Sequence, residues 1–104
     1  MSEIRNVLLI DSDPAYAEFF RSALLAAKNG SFQGEWLGTL TEGIERLRKK
    51  GIWAIFVNLS LPDSQGIDTF NKVARAAPGV PIVEKKVRYR NFVLELMNRV
   101  PMRF

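Results

Sequence analysis

Two runs in this 104-residue chain are apolar without polar alternation: Val7-Leu8-Leu9-Ile10 and Ile52-Trp53-Ala54-Ile55-Phe56-Val57. A strand of that composition has no side suited to water, so both faces must be covered, as they are in the centre of a parallel sheet. The first run ends at Asp11-Ser12-Asp13-Pro14. Asp13 carries the short carboxylate that caps a helix, and Pro14 suits the first helical position, where its missing N–H costs nothing. From Ala15 to Lys28 the apolar residues Tyr16, Phe20, Ala23, Leu24 and Ala27 recur at helical spacing, and Asn29-Gly30 is expected to stop this helix in the left-handed conformation.

The same rhythm repeats. Phe32 to Leu37 forms a strand weakened by Gly34, and Thr39-Leu40-Thr41-Glu42 reads as a capping box that opens a helix. Leu40, Ile44 and Leu47 make its apolar stripe, with Arg46, Arg48, Lys49 and Lys50 on the outer face and last turn and Gly51 as its stop. The Ile52–Val57 strand ends at Asn58, and the loop Leu59 to Gly66 leads into a third helix over about 67–77, with Ile67, Phe70 and Ala74 expected inward. Pro78-Gly79 terminates it. Val80 to Val83 is a short fourth strand, and Pro81 puts it at a strand start or near a sheet edge. An amphipathic helix follows over about 91–100, bearing Phe92, Val93, Leu96, Met97 and Val100 and stopped by Pro101.

Alternating strands and helices with short connections imply an α/β fold: a doubly wound parallel sheet with right-handed crossovers and helices on both faces. The length suits one domain. We divide it into a core of three strand-helix units and a fourth strand over 1–83, and a basic segment with a terminal helix over 84–104. At 47% apolar and 25% charged residues the composition excludes disorder along the whole length.

Histidine and cysteine are both absent. This excludes thiolate nucleophiles, disulfides, Cys/His zinc sites and Ser-His-Asp triads. The first apolar run is four residues long and follows Glu3 and Arg5, so it reads as neither signal peptide nor spanning helix, and a soluble cytoplasmic protein with no membrane role is expected. Residues 1–83 balance nine basic against nine acidic side chains, whereas 84–104 set Lys85, Lys86, Arg88, Arg90, Arg99 and Arg103 against Glu84 and Glu95. The whole net charge of +4 therefore lies in that last segment. Such an excess suits a solvated helix face or, less often, a surface for nucleic acid, an acidic partner or a membrane.

In doubly wound sheets, sites form outside the carboxyl ends of the strands, near the point where strand order reverses. With strands one and three as the central pair, Asp11, Ser12 and Asp13 are expected to meet Asn58 there. Asn58-Leu59-Ser60 and Asn29-Gly30-Ser31 match a glycosylation pattern that carries no weight without a secretory signal. Gly34 and Gly38 make no phosphate loop, and Trp36 and Trp53 read as packing residues.

The segments Val7 to Pro14, Phe56-Val57-Asn58-Leu59-Ser60-Leu61-Pro62-Asp63-Ser64-Gln65-Gly66 and Pro81-Ile82-Val83 resemble the receiver domain of bacterial two-component response regulators, in register over about residues 5–83. The resemblance implies a flavodoxin-like receiver fold, shortened or altered after the fourth strand. It also implies an aspartate phosphorylated by a histidine kinase after strand three, an acidic pair after strand one that binds Mg²⁺ with it, a Thr or Ser after strand four and a Lys after strand five. Here Asn58 stands at the phosphoacceptor position, Ser12 at the second acidic position with Asp11 as the first, and Lys86 near the hydroxyl position. No Thr or Ser occurs in 84–104, and the fifth strand with its lysine has no counterpart that can be located.

An acyl phosphate needs a carboxylate nucleophile, and Mg²⁺ needs anionic oxygens; Asn58 and Ser12 supply neither. The resemblance therefore implies a degenerate pocket of Asp11, Ser12, Asn58 and Lys86, with no catalytic residue, metal or cofactor. The expected role is a stand-alone pseudo-receiver docking to a histidine kinase or downstream effector. The alternatives are an unconventional Mg²⁺-dependent phosphoacceptor using Asp11, Asp13 or Asp63, against which each has a structural use as cap or loop carboxylate, and nucleic-acid binding through Arg88, Tyr89, Arg90 and Phe92. Without a fifth strand the fourth is an exposed edge. A homodimer through Val83, Lys85, Arg88, Tyr89, Phe92 and Leu96 is accordingly expected.

Overall fold

The computed structural model describes residues 4–27 and 31–85. They form β1 (Ile4–Ile10), α1 (Pro14–Ala26), β2 (Ser31–Leu37), α2 (Leu40–Arg48), β3 (Ile52–Val57), β4 (Ser60–Leu61), β5 (Ser64–Gln65), α3 (Ile67–Ala76) and β6 (Ile82–Glu84). The main sheet is parallel in the order β2-β1-β3-β6, so the two apolar runs are its central pair. β4 and β5 make a small antiparallel hairpin in what the sequence presented as a loop.

Alternation along the strands divides the core in two. Val7, Leu9, Ala54, Phe56 and Val83 face Tyr16, Ala17, Phe20 and Leu24 of α1. Leu8, Ile10, Ile55 and Val57 face Leu40 and Leu47 of α2 and Val73 of α3. A register shift at Asn6/Val7 resets the alternation in β3, and Ile52 thereby joins the second layer. Helices thus cover both faces, as the uninterrupted hydrophobicity of β1 and β3 requires.

The helix starts follow the sequence. Asp13 caps α1 by accepting the Ala15 amide, with Pro14 as the first helical residue, and Thr39 caps α2 by accepting the Glu42 amide. The ends differ. α1 stops at Ala26 with Ala27 already extended, before Asn29-Gly30, which lie outside the described residues. α2 closes at Lys49, and the left-handed turn is shared by Lys50 (φ 62) and Gly51 (φ 89). Arg46 holds the Lys50 carbonyl at 2.8 Å and is tied to Glu35 of β2 at 2.6 Å, so it is not a purely outward charge.

The inward face of α3 is also corrected. Ile67 is 68% exposed, and the buried stripe is Thr69 and Val73, continued by Ala77. Ile67 is the first helical residue and, two residues ahead of Thr69, lies about half a turn away from the stripe, while Thr69 can be buried because its hydroxyl bonds to Ser64 and to the Leu59 carbonyl. Pro81 sits just ahead of β6, where it needs to donate nothing, and its carbonyl accepts the Ile55 amide at 2.9 Å. The terminal helix expected over about 91–100 lies outside the described residues.

Candidate functional site

The carboxyl ends of β1, β3 and β6 converge on one polar pocket. Asp11 continues β1, with its amide donating to the Leu37 carbonyl at 3.0 Å; Asn58 continues β3, with its amide donating to the Ile10 carbonyl at 2.9 Å. Parallel pairing therefore carries both side chains past the same edge of the sheet. Lys85 continues β6, and its amide donates to the Val57 carbonyl at 2.8 Å.

Asp11 is completely buried. Its Oδ1 accepts the Asp13 amide at 3.0 Å and the Asn58 carboxamide Nδ2 at 3.2 Å. Its Oδ2 faces the Lys85 ammonium at 3.1 Å, an ion pair without hydrogen-bond alignment, and has no hydrogen-bond partner among the described residues. A buried carboxylate is tolerated when paired and hydrogen-bonded, and Asp11 has both kinds of support. The Lys85 ammonium is also 3.7 Å from Asp13 Oδ2 and 4.6 Å from the centre of the Tyr16 ring, over its face.

Asn58 uses both ends of its carboxamide: Nδ2 donates to Asp11, and Oδ1 accepts the Ser60 amide at 2.9 Å. Asp63 Oδ1 accepts the Leu40 amide at 2.8 Å, and its Oδ2 accepts the Thr41 amide at 2.9 Å and hydroxyl at 2.8 Å. These bonds favour the charged form, so the Leu40 and Thr41 amides hold the Asp63 carboxyl below the usual aspartate range.

The structure thus brings together Asp11, Asn58 and Asp13 at the ends of the central strand pair and leaves Ser12 exposed at the turn. Lys86, Arg88, Tyr89, Phe92 and Leu96 lie outside the described residues. Val83 and Lys85, expected on an interaction surface, are corrected. Val83 is buried against α1 and the Lys85 side chain, 15% exposed, turns into the acidic pocket. Alternation places Val83 on the α1 face, and the charge of Asp11 draws the ammonium inward.

The place of two residues at this pocket is not signalled by the sequence: Lys85, expected on an interaction surface, and Trp36. Lys85 was hidden in a run of charges that suited a solvated face. Trp36 reads as packing, yet it is 42% exposed and its Nε1 donates to the Asp11 carbonyl at 2.6 Å, pinning the β1 turn from the side. Nothing local to Trp36 signals that bond, which exists because β2 lies beside β1. Among the described residues no three acidic side chains gather in a metal-binding group, and no helix is long and apolar enough to cross a membrane.

No protein-family model and no curated protein sequence matches this chain. Solved structures do. A CheY-like response regulator receiver domain from Methylobacillus flagellatus superposes with a TM-score of 0.69 at 24% identity, covering 90% of this chain and 81% of that one. A CheY-like receiver domain from Methanospirillum hungatei gives 0.68 at 20% identity, over 95% and 78%. The non-phosphorylated receiver domain of the stress response regulator RcsB from Escherichia coli gives 0.70 at 23% identity, over 89% and 72%. The chain has the CheY-like, flavodoxin-like receiver fold.

Proposed function

We propose that this chain is a pseudo-receiver: a receiver fold that serves two-component signalling by contact with another protein, with no phosphorylated aspartate and no enzymatic activity of its own. Asn58 carries the proposal. It occupies the end of β3, where the receiver resemblance puts the phosphoacceptor, and a carboxamide offers no anionic oxygen to attack a phosphoryl group. Its Oδ1 and Nδ2 are both committed, to Ser60 and Asp11. The three nearby aspartates are engaged as well: Asp11 with Lys85, Asp13 with the Ala15 amide, and Asp63 with the start of α2. A pocket so fully cross-linked favours one conformation, which suits a constant docking module better than a switch.

The partner that fits this role is a histidine kinase or a downstream effector. The outer edge of β6 has no pairing strand among the described residues, and such an edge is completed by a covering segment or by another chain. A cytoplasmic homodimer through that edge is the corresponding assembly.

The test is intact mass after incubation with Mg²⁺ and a small-molecule phosphodonor, with Asn58→Asp alongside. The native protein is expected to gain no phosphoryl group while the variant gains one. A phosphoryl adduct on the native protein overturns the proposal and turns attention to whichever aspartate bears it.

A further inference from the structure

We infer that Lys85 is the resident cation of this pocket: its ammonium takes the place beside Asp11 that a divalent metal ion takes in receivers, so the chain neutralises the pocket itself and binds no metal there. Divalent Mg²⁺ seeks near-octahedral oxygen ligands and is held through one or two carboxylates with several waters. The residues present do not fit it. Of the Asp11 carboxylate, Oδ1 already accepts two hydrogen bonds and Oδ2 faces the ammonium at 3.1 Å. Asn58 Oδ1 is taken by the Ser60 amide, and Ser12 is exposed and neutral.

The ammonium, by contrast, is held on several sides. Two carboxylates lie at 3.1 and 3.7 Å, and the Tyr16 ring offers its face at 4.6 Å. The placement is built into the sheet. Pairing of Val57 with Glu84, followed by the Lys85 amide bond to the Val57 carbonyl, sets Lys85 next to Asn58, so β6 delivers the positive charge. Asp11 Oδ2 has no hydrogen-bond partner among the described residues, so a buried charge without an ion-pair partner there would remain if the ammonium left. A metal ion could enter only by expelling Lys85 against like-charge repulsion.

This deepens the proposed function, since a pocket with a built-in cation has no metal-dependent charge state to switch, and it is tested separately from it. Mn²⁺ is titrated into the native protein and into Lys85→Met, with free ion followed by electron paramagnetic resonance, and thermal melts of both are run with and without millimolar Mg²⁺. The native protein is expected to leave the free-ion signal and its melting temperature unchanged. Lys85→Met is expected to melt lower, to deplete free Mn²⁺, and to regain several degrees in Mg²⁺ through Asp11 and Asp13. If the variant is unfolded without metal, recovery of its circular dichroism in Mg²⁺ counts the same way.

Binding of Mn²⁺ by the native protein, or a variant that ignores both ions, overturns the inference. Neither result bears on phosphorylation. Failure of the pseudo-receiver role shows instead as a phosphoryl adduct in the mass measurement.

Discussion

The Asp63 carboxylate accepts the amide of Leu40, 23 residues earlier in the chain, at 2.8 Å. The turn between β4 and β5 thereby caps the helix α2, with Thr41 giving the second carboxylate oxygen an amide and a hydroxyl. The loop after β3 and the start of α2 are one hydrogen-bonded unit, and the same loop reaches the Asp11 pocket through the Ser60 amide on Asn58 Oδ1.

Protonating Asp63 should loosen that unit. Its carboxyl is depressed in the folded state by the Leu40 and Thr41 amides, so its stabilisation is present above the unfolded-state value and is lost as pH falls through the folded one. Asp63→Asn is expected to unfold at lower urea than the native protein at neutral pH. The gap should shrink towards pH of about 3, in the acid limb of carboxylate titration. A gap that stays constant over that range contradicts the assignment.

Asn58→Asp exchanges a donor for a like charge beside a buried carboxylate. The bond from Nδ2 to Asp11 Oδ1 at 3.2 Å is replaced by repulsion, although Lys85 moderates it. We expect a loss of about 1–3 kcal/mol near neutral pH, read as a lower denaturation midpoint with unchanged slope. Equal or greater stability of the variant would mean that the carboxamide does not hold the pocket together.

Trp36→Phe keeps most of the ring and removes only the Nε1 donor to the Asp11 carbonyl. The expected cost is about 1 kcal/mol, the net worth of one hydrogen bond. Because Trp36 is 42% exposed whereas Trp53 packs against Phe32, the variant should also lose the quenchable part of the tryptophan fluorescence. Acrylamide quenching that stays unchanged would refute that placement.

Gly34→Ala tests the contact between α1 and β2. A methyl group there would lie 2.8 Å from Leu24 Cδ1 and 2.9 Å from Phe20 Cε2, and Phe20 is itself clamped in the core against Phe56. Overpacking of this kind is expected to cost about 1–3 kcal/mol, despite the better strand propensity of alanine. A variant as stable as the native protein would show that α1 can move away from the sheet.

Much of the fold follows from patterns that span only a few residues. Unbroken hydrophobicity in Val7–Ile10 and Ile52–Val57 demands cover on two faces, Asp13-Pro14 and Thr39 open helices by local capping, and Pro81 marks a strand start; each works through neighbours in sequence, so each is readable there. Asn58 in place of an aspartate is likewise a matter of residue identity at the end of a strand. What tertiary structure alone decided is which distant groups share space. Lys85 reaches Asp11 only because β6 pairs with β3 beside β1, Trp36 reaches the Asp11 carbonyl only because β2 flanks β1, and Asp63 caps Leu40 only because the hairpin folds back over α2. A charged residue in a basic run and a tryptophan in a strand look the same in sequence whether they face water or a polar partner brought near by the sheet. Strand order makes that choice, because a buried charge must find its partner among whatever the sheet brings near it.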